Sequence, residues 1–127
     1  MDGDGGCRRK VLQLTKYFKA KTRDGWYPLA TYHLKTLLLH LNDERKRPED
    51  WAQGMLVPRF KEFIDRLLKH LHTRILPNFF ILAEDLFADK MGDIHLATAG
   101  VNDFLKTLRL DPDALLSRRE GQIKLSV

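Results

Sequence analysis

The residues of this 127-residue chain that could do chemistry are five histidines, one cysteine and a run of basic side chains. His33 and His40 lie seven apart in a stretch with helical periodicity. They share a face but stand about two turns, or about 10 Å, apart, too far to bind one metal ion. His70, His72 and His95 gain no carboxylate at a metal-ligand spacing, so no metal site is expected and the histidines read as scattered helix residues. Cys7 sits beside Arg8 and Arg9, neighbours that favour a thiolate, but no base is placed by spacing and a packing role is the better reading. From Arg8 to Arg23 there are seven basic residues and no acidic one. Such a run suits phosphates or an anionic surface, but the only aromatic residues interleaved with it are Tyr17 and Phe18. A solvated helix face is therefore favoured over a nucleic-acid surface. No catalytic residue is expected, and no cofactor.

The elements that must position these residues follow from apolar spacing. Val11, Leu14 and Phe18 give a first helix within Gly6 to Thr22, with Lys19, Lys21 and Arg23 toward the negative end of its dipole. Asp24-Gly25 is a turn signal, with Gly25 suited to a left-handed cap. Leu34, Leu37, Leu38 and Leu41 recur at i, i+3, i+4 and i+7, and Pro28 can open that helix. Leu39 widens its apolar face, which predicts a helix covered on several sides in the middle of a bundle. Pro48 to Ala52 reads as a short turn with Trp51 as a packing anchor. Phe60, Ile64, Leu67 and Leu71 then mark a helix from Pro58 to about Thr73. Pro77 disfavours helix at Leu76, so Leu76 to Leu82 reads as an apolar loop tucking aromatic rings under the bundle. A short helix over Glu84 to Lys90, a long one over Asp93 to Arg109, a turn at Asp111-Pro112-Asp113 and a loose tail complete the chain. The prediction is all-α: a single bundle of four main helices plus short helical turns.

Composition agrees with one modest globular domain, at 43% hydrophobic and 31% charged residues. No apolar run approaches the roughly 18 residues of a membrane helix, so the chain as given reads as soluble. The glycine-rich, acidic start (Met1 to Gly6) has no apolar signal region. A single cysteine excludes an internal disulfide. The net charge of +5, with its basic first helix, leaves an anionic partner open.

The stretch Thr31-Tyr32-His33-Leu34-Lys35-Thr36 resembles the Ser-Tyr-His-x-Lys-Thr signature of the Mab-21 family. Its flanks agree in order and approximate spacing. They are Cys7-Arg8, Leu12, Leu14 and Lys16 before it, and Glu49-Asp50-Trp51, Arg59-Phe60, Leu76-Pro77-Asn78-Phe79-Phe80 and Leu86-Phe87 after it. The family includes cyclic GMP-AMP synthase and the inositol trisphosphate receptor-interacting proteins. Pro48-Glu49-Asp50-Trp51 and the short tail are most similar to the receptor-interacting branch. The resemblance implies a disordered segment over 1–6, a Mab-21-like C-terminal helical domain over 7–119 and a tail over 120–127. It also implies a nucleotidyltransferase-like half ahead of this region, which in active members carries a Gly-Ser pair and paired acidic residues for two metal ions. The chain then reads as part of a larger protein, a truncated reading of its gene, or a short paralogue.

By the same resemblance, Lys16, Thr31 and Tyr32 match positions that hold a nucleotide in the active synthase: a phosphate contact, a hydroxyl contact and a stacking ring. Arg9 matches a basic position of the synthase's DNA-binding surface, but Gln13 stands where that surface is basic. With Arg8, Lys10, Lys19 and Lys21, Arg9 forms the candidate anion patch. Two readings follow. The favoured one is a non-catalytic protein-interaction module with a protein partner, whose parent is membrane-associated through segments absent here. The alternative is a nucleotide- or DNA-binding fragment of a synthase-like nucleotidyltransferase.

Overall fold

In the computed structural model, described for residues 6–22, 25–81 and 83–111, four α-helices form one bundle. They are α1 (Arg8–Lys21), α2 (Thr31–Glu44), α3 (Leu56–Thr73) and α4 (Ile94–Leu110). Short 3-10 helices at Pro48–Trp51 and Gln53–Met55 lead into α3, and a third, Ala88–Lys90, precedes α4. Among the described residues there is no strand, and no helix is long and apolar enough to cross a membrane. The expectations for 1–5, for the turn following Asp111 and for the 120–127 tail lie outside the described residues.

The apolar stripes predicted for α1 and α2 are the faces that are buried, and α4 has a buried stripe of its own. Val11, Leu14 and Phe18 of α1, Leu34, Leu37, Leu38 and Leu41 of α2, and Ile94, Ala97, Val101, Leu105 and Leu108 of α4 all face the core. The centre of the bundle, however, is α3 and not α2. α3 packs against α1, α2 and α4, and buries Leu56, Phe60, Phe63, Ile64, Leu67 and Leu71. Its apolar residues extend over more than one stripe, as a helix with neighbours on three sides requires. α2 packs against two helices, α1 and α3, and meets a loop through His33 and His40.

Two boundaries also differ from the spacing. α2 starts at Thr31, not at Pro28; before it the chain passes through a turn in which Gly25 and Trp26 have positive φ (57° and 53°) and the Tyr27–Pro28 peptide is cis. That turn sinks Trp26 into the core against Phe104, with ring centroids 5.5 Å apart. Gly100 makes room for it on α4: a Cβ there would stand 2.9 Å from Trp26 Cδ1. Phe18, Phe60 and Phe104 complete an aromatic cluster joining α1, α3 and α4. Of the helix expected over Glu84 to Lys90, only the turn Ala88–Lys90 forms, because Asp85 is engaged in a β-bridge with Pro77.

Trp51 is the packing anchor the sequence suggests. It is fully buried; its indole Nε1 donates to the Arg45 carbonyl at 2.6 Å, and its own carbonyl accepts from the Cys7 amide at 2.7 Å. The Arg8 guanidinium lies 5.2 Å from the ring centroid, so one tryptophan ties the end of α2 to the start of α1. Nearby, Glu62 of α3 accepts both arms of Arg45 at 2.8 Å and Arg59 at 3.0 Å.

Candidate functional site

The signature stretch forms the first turns of α2, and its histidine is fully buried. His33 occupies the third position of the helix, and its Nδ1 accepts the Ala30 amide at 2.9 Å, satisfying one of the donors a helix start leaves open. With Nδ1 an acceptor, the hydrogen resides on Nε2, which donates to the Leu86 carbonyl at 3.3 Å. Two turns along α2, His40 Nε2 donates to the Pro77 carbonyl at 2.7 Å. At the end of α3, His70 Nδ1 donates to the Ile75 carbonyl at 2.9 Å. Burial lowers the pKa of both His33 and His70, since it penalises the charged ring more than their backbone hydrogen bonds favour it.

Three histidines thus hold one segment, Ile75 to Phe87, through its carbonyls. The segment closes on itself: Leu86 N donates to Leu76 O and Asn78 N to Glu84 O, both at 2.8 Å. Asp85 Oδ1 accepts the amides of Leu76 and Phe87, each at 2.9 Å, and Asn78 Oδ1 accepts that of Phe80 at 2.9 Å. The feet of this hairpin-like loop, Leu76 and Phe87, are fully buried. Its tip is not: Phe80 is 81% and Ile81 58% exposed. Of the two rings expected under the bundle from Leu76 to Leu82, Phe80 instead points outward and Phe79, half-buried, packs edge-on to His40 at 5.5 Å; the ring buried beneath the loop is Phe87 at its foot.

The histidines were invisible as a set in the sequence. The spacing of His33 and His40 that excludes a shared ion lets them reach two separate carbonyls, and that shared face was the available signal. Among the described residues, no group of three or more His, Cys, Asp or Glu side chains could hold a metal ion.

Of the residues matched to nucleotide binding, Tyr32 is 48% exposed, its ring 4.0 Å from that of His33, so it is no core tyrosine. Thr31 is partly buried and Lys16 exposed. Arg8 Nε donates to Asn42 Oδ1 at 2.6 Å, tying the start of α1 to the end of α2. The basic residues divide differently. At about 100° per residue, Arg8 and Lys19 form one row, Arg9 and Lys16 a second, and Lys10 and Lys21 a third. Only the Arg9 and Lys16 row lies opposite Val11, Leu14 and Phe18, while the other two rows flank that buried face. Arg8 is drawn onto Trp51, and Lys21 sits 5.5 Å from the Tyr17 ring centroid.

An all-α bundle whose signature helix clamps a loop by histidine–carbonyl bonds defines the class of protein. Residues 7–99 match the family described as the Mab-21 protein HhH/H2TH-like domain. The chain is also 33% identical over 87 residues to the fruit-fly (Drosophila melanogaster) protein described as "Protein mab-21-like". That match covers 68% of this chain and 24% of the relative, so the chain spans about a quarter of the relative's length. The chain belongs to the Mab-21 family.

Proposed function

We propose that this chain is a non-catalytic protein-interaction module, similar to the helical part of the inositol trisphosphate receptor-interacting proteins, and that its partner is a protein. The observation that carries the reading is the 75–87 loop. A loop held by three histidine bonds, an aspartate and two buried feet presents Phe80 and Ile81 to solvent. Apolar side chains exposed on an anchored support bind a partner without the cost of ordering a mobile segment. In this reading, membrane attachment of a parent protein comes from segments outside this chain.

A photo-crosslinking residue at position 80 should capture a protein whose binding to the native chain is lost in Phe80→Asp and kept in Lys69→Asp. Equal binding to all three would remove the loop from the interface.

A second reading rests on Tyr32, whose exposed ring at the start of α2 offers a base a stacking surface. The two readings differ in product. Purified chain incubated with ATP, GTP, magnesium and DNA should yield neither linear nor cyclic dinucleotide, because nucleotidyl transfer needs a metal site built from paired carboxylates. Any such product would make the synthase-like reading the correct one.

A further inference from the structure

At the C-terminal end of α3, a cleft of about 260 Å³ opens between the last turn of α3 and the first turns of α4. Leu71 and Ala99 are its apolar lining, and His72, Arg74, His95, Thr98 and Asn102 supply its polar groups. Thr98 donates its hydroxyl to the Ile94 carbonyl at 2.9 Å and keeps its oxygen lone pairs. The side chains of His72, Arg74, His95 and Asn102 have no hydrogen bond or ion pair among the described residues. That contrasts with the other cationic clusters of α3, where Arg45 and Arg59 meet Glu62 and Arg66 meets Glu44.

The lining contains no carboxylate. Its polar groups are mainly donors: five N–H groups of a guanidinium, two imidazoles and an amide. Two imidazoles without a third ligand do not make a metal site, whereas N–H donors lining one cleft with a guanidinium suit the oxygens of a phosphate. Arg74 is also held at φ 61°, in the left-handed region usually occupied by glycine or asparagine at a helix end, and that backbone turn carries its side chain to the cleft.

We propose that this cleft is a binding site for a phosphate monoester, with Arg74 as its principal anchor and His72, His95 and Asn102 as the flanking donors. The site is separate from the 75–87 loop tip and independent of what that loop binds. The phosphate can belong to a soluble phosphate ester or to a lipid headgroup.

The test follows the imidazole Cε1–H resonances of the full chain during titration with inorganic phosphate, with chloride adjusted to keep ionic strength constant. Saturable shifts confined to His72 and His95, with buried His33 unmoved, are expected. Arg74→Asn, whose new side chain tolerates the left-handed backbone, should weaken that binding about tenfold, the usual effect of losing a charged hydrogen bond. His95→Gln, which leaves the anchor in place, should weaken it less. A parallel titration uses phosphatidylcholine vesicles with and without a phosphoinositide monoester. Binding that depends on the phosphoinositide and on Arg74 assigns the site to a headgroup, whereas phosphate binding alone assigns it to a soluble ester. If neither probe saturates, or if Arg74→Asn binds as the native chain does, the site does not exist.

Discussion

Two sides of α2 are held by different physics. On one side Leu34, Leu37, Leu38 and Leu41 disappear into α1 and α3, where cohesion comes from apolar area and close packing. On the other, His33 and His40 reach the 75–87 loop through single hydrogen bonds to the Leu86 and Pro77 carbonyls. The apolar side spreads its stabilisation over many contacts, so losing one side chain weakens the whole bundle. The histidine side concentrates it in a few directional bonds, so losing one should free the loop and leave the bundle standing. A family signature located at the junction of these two regimes serves both.

The largest effect should come from the apolar side. Leu38 is 2% exposed, and truncating a buried leucine to alanine typically costs about 2 to 5 kcal/mol. A domain of this size has about 5 to 15 kcal/mol in total, so Leu38→Ala should largely unfold the chain in a thermal melt. Lys35→Ala, three residues earlier on the exposed face, should stay within about 0.5 kcal/mol of the parent. Equal shifts for the two would erase the distinction between the faces of α2.

Acid should act on the histidine side. The folded-state pKa of His33 and of His70 lies below the ordinary imidazole value of 6.5, so the unfolded chain binds protons more readily than the folded one. Their contribution to stability is complete above pH 6.5 and is lost as pH falls through 6.5 toward the lowered values. Protonated His33 would also turn an N–H toward the Ala30 amide, replacing an acceptor with a second donor. Denaturant melts between pH 7.5 and 5 should show stability falling, with a smaller fall in His33→Gln. A pH-independent parent would mean that the rings are not held neutral.

The same division explains what was legible in the sequence. Four helices and their buried stripes follow from periodicity, because burial imposes a period of 3.6 on any helix against a core. The central position of α3 was harder to see, because a leucine run in α2 suggests wide burial while Leu39 and His40 are only half-buried. The start of α2 moved from Pro28 to Thr31 because the helix is capped by its own third residue, His33, a contact no propensity encodes. The loop was placed by Pro77, but its anchoring depends on carbonyl positions that exist only after folding. The cleft at Arg74 has the same character: His72 and His95 are 23 residues apart and meet only when α3 packs on α4.

The most direct test of the account is amide hydrogen exchange in a His33→Ala/His40→Ala variant. Losing His33 leaves the Ala30 amide and the Leu86 carbonyl without partners, at a cost of about 1 to 3 kcal/mol. The account predicts that the amides of Asn78 and Leu86, which close the loop, lose protection, while those of Leu38 in α2 and Leu67 in α3 keep theirs. Uniform loss across the loop and α3 would contradict it, showing the histidines to be part of the general core. Unchanged protection at Asn78 and Leu86 would contradict it as well, showing that the loop stands without them.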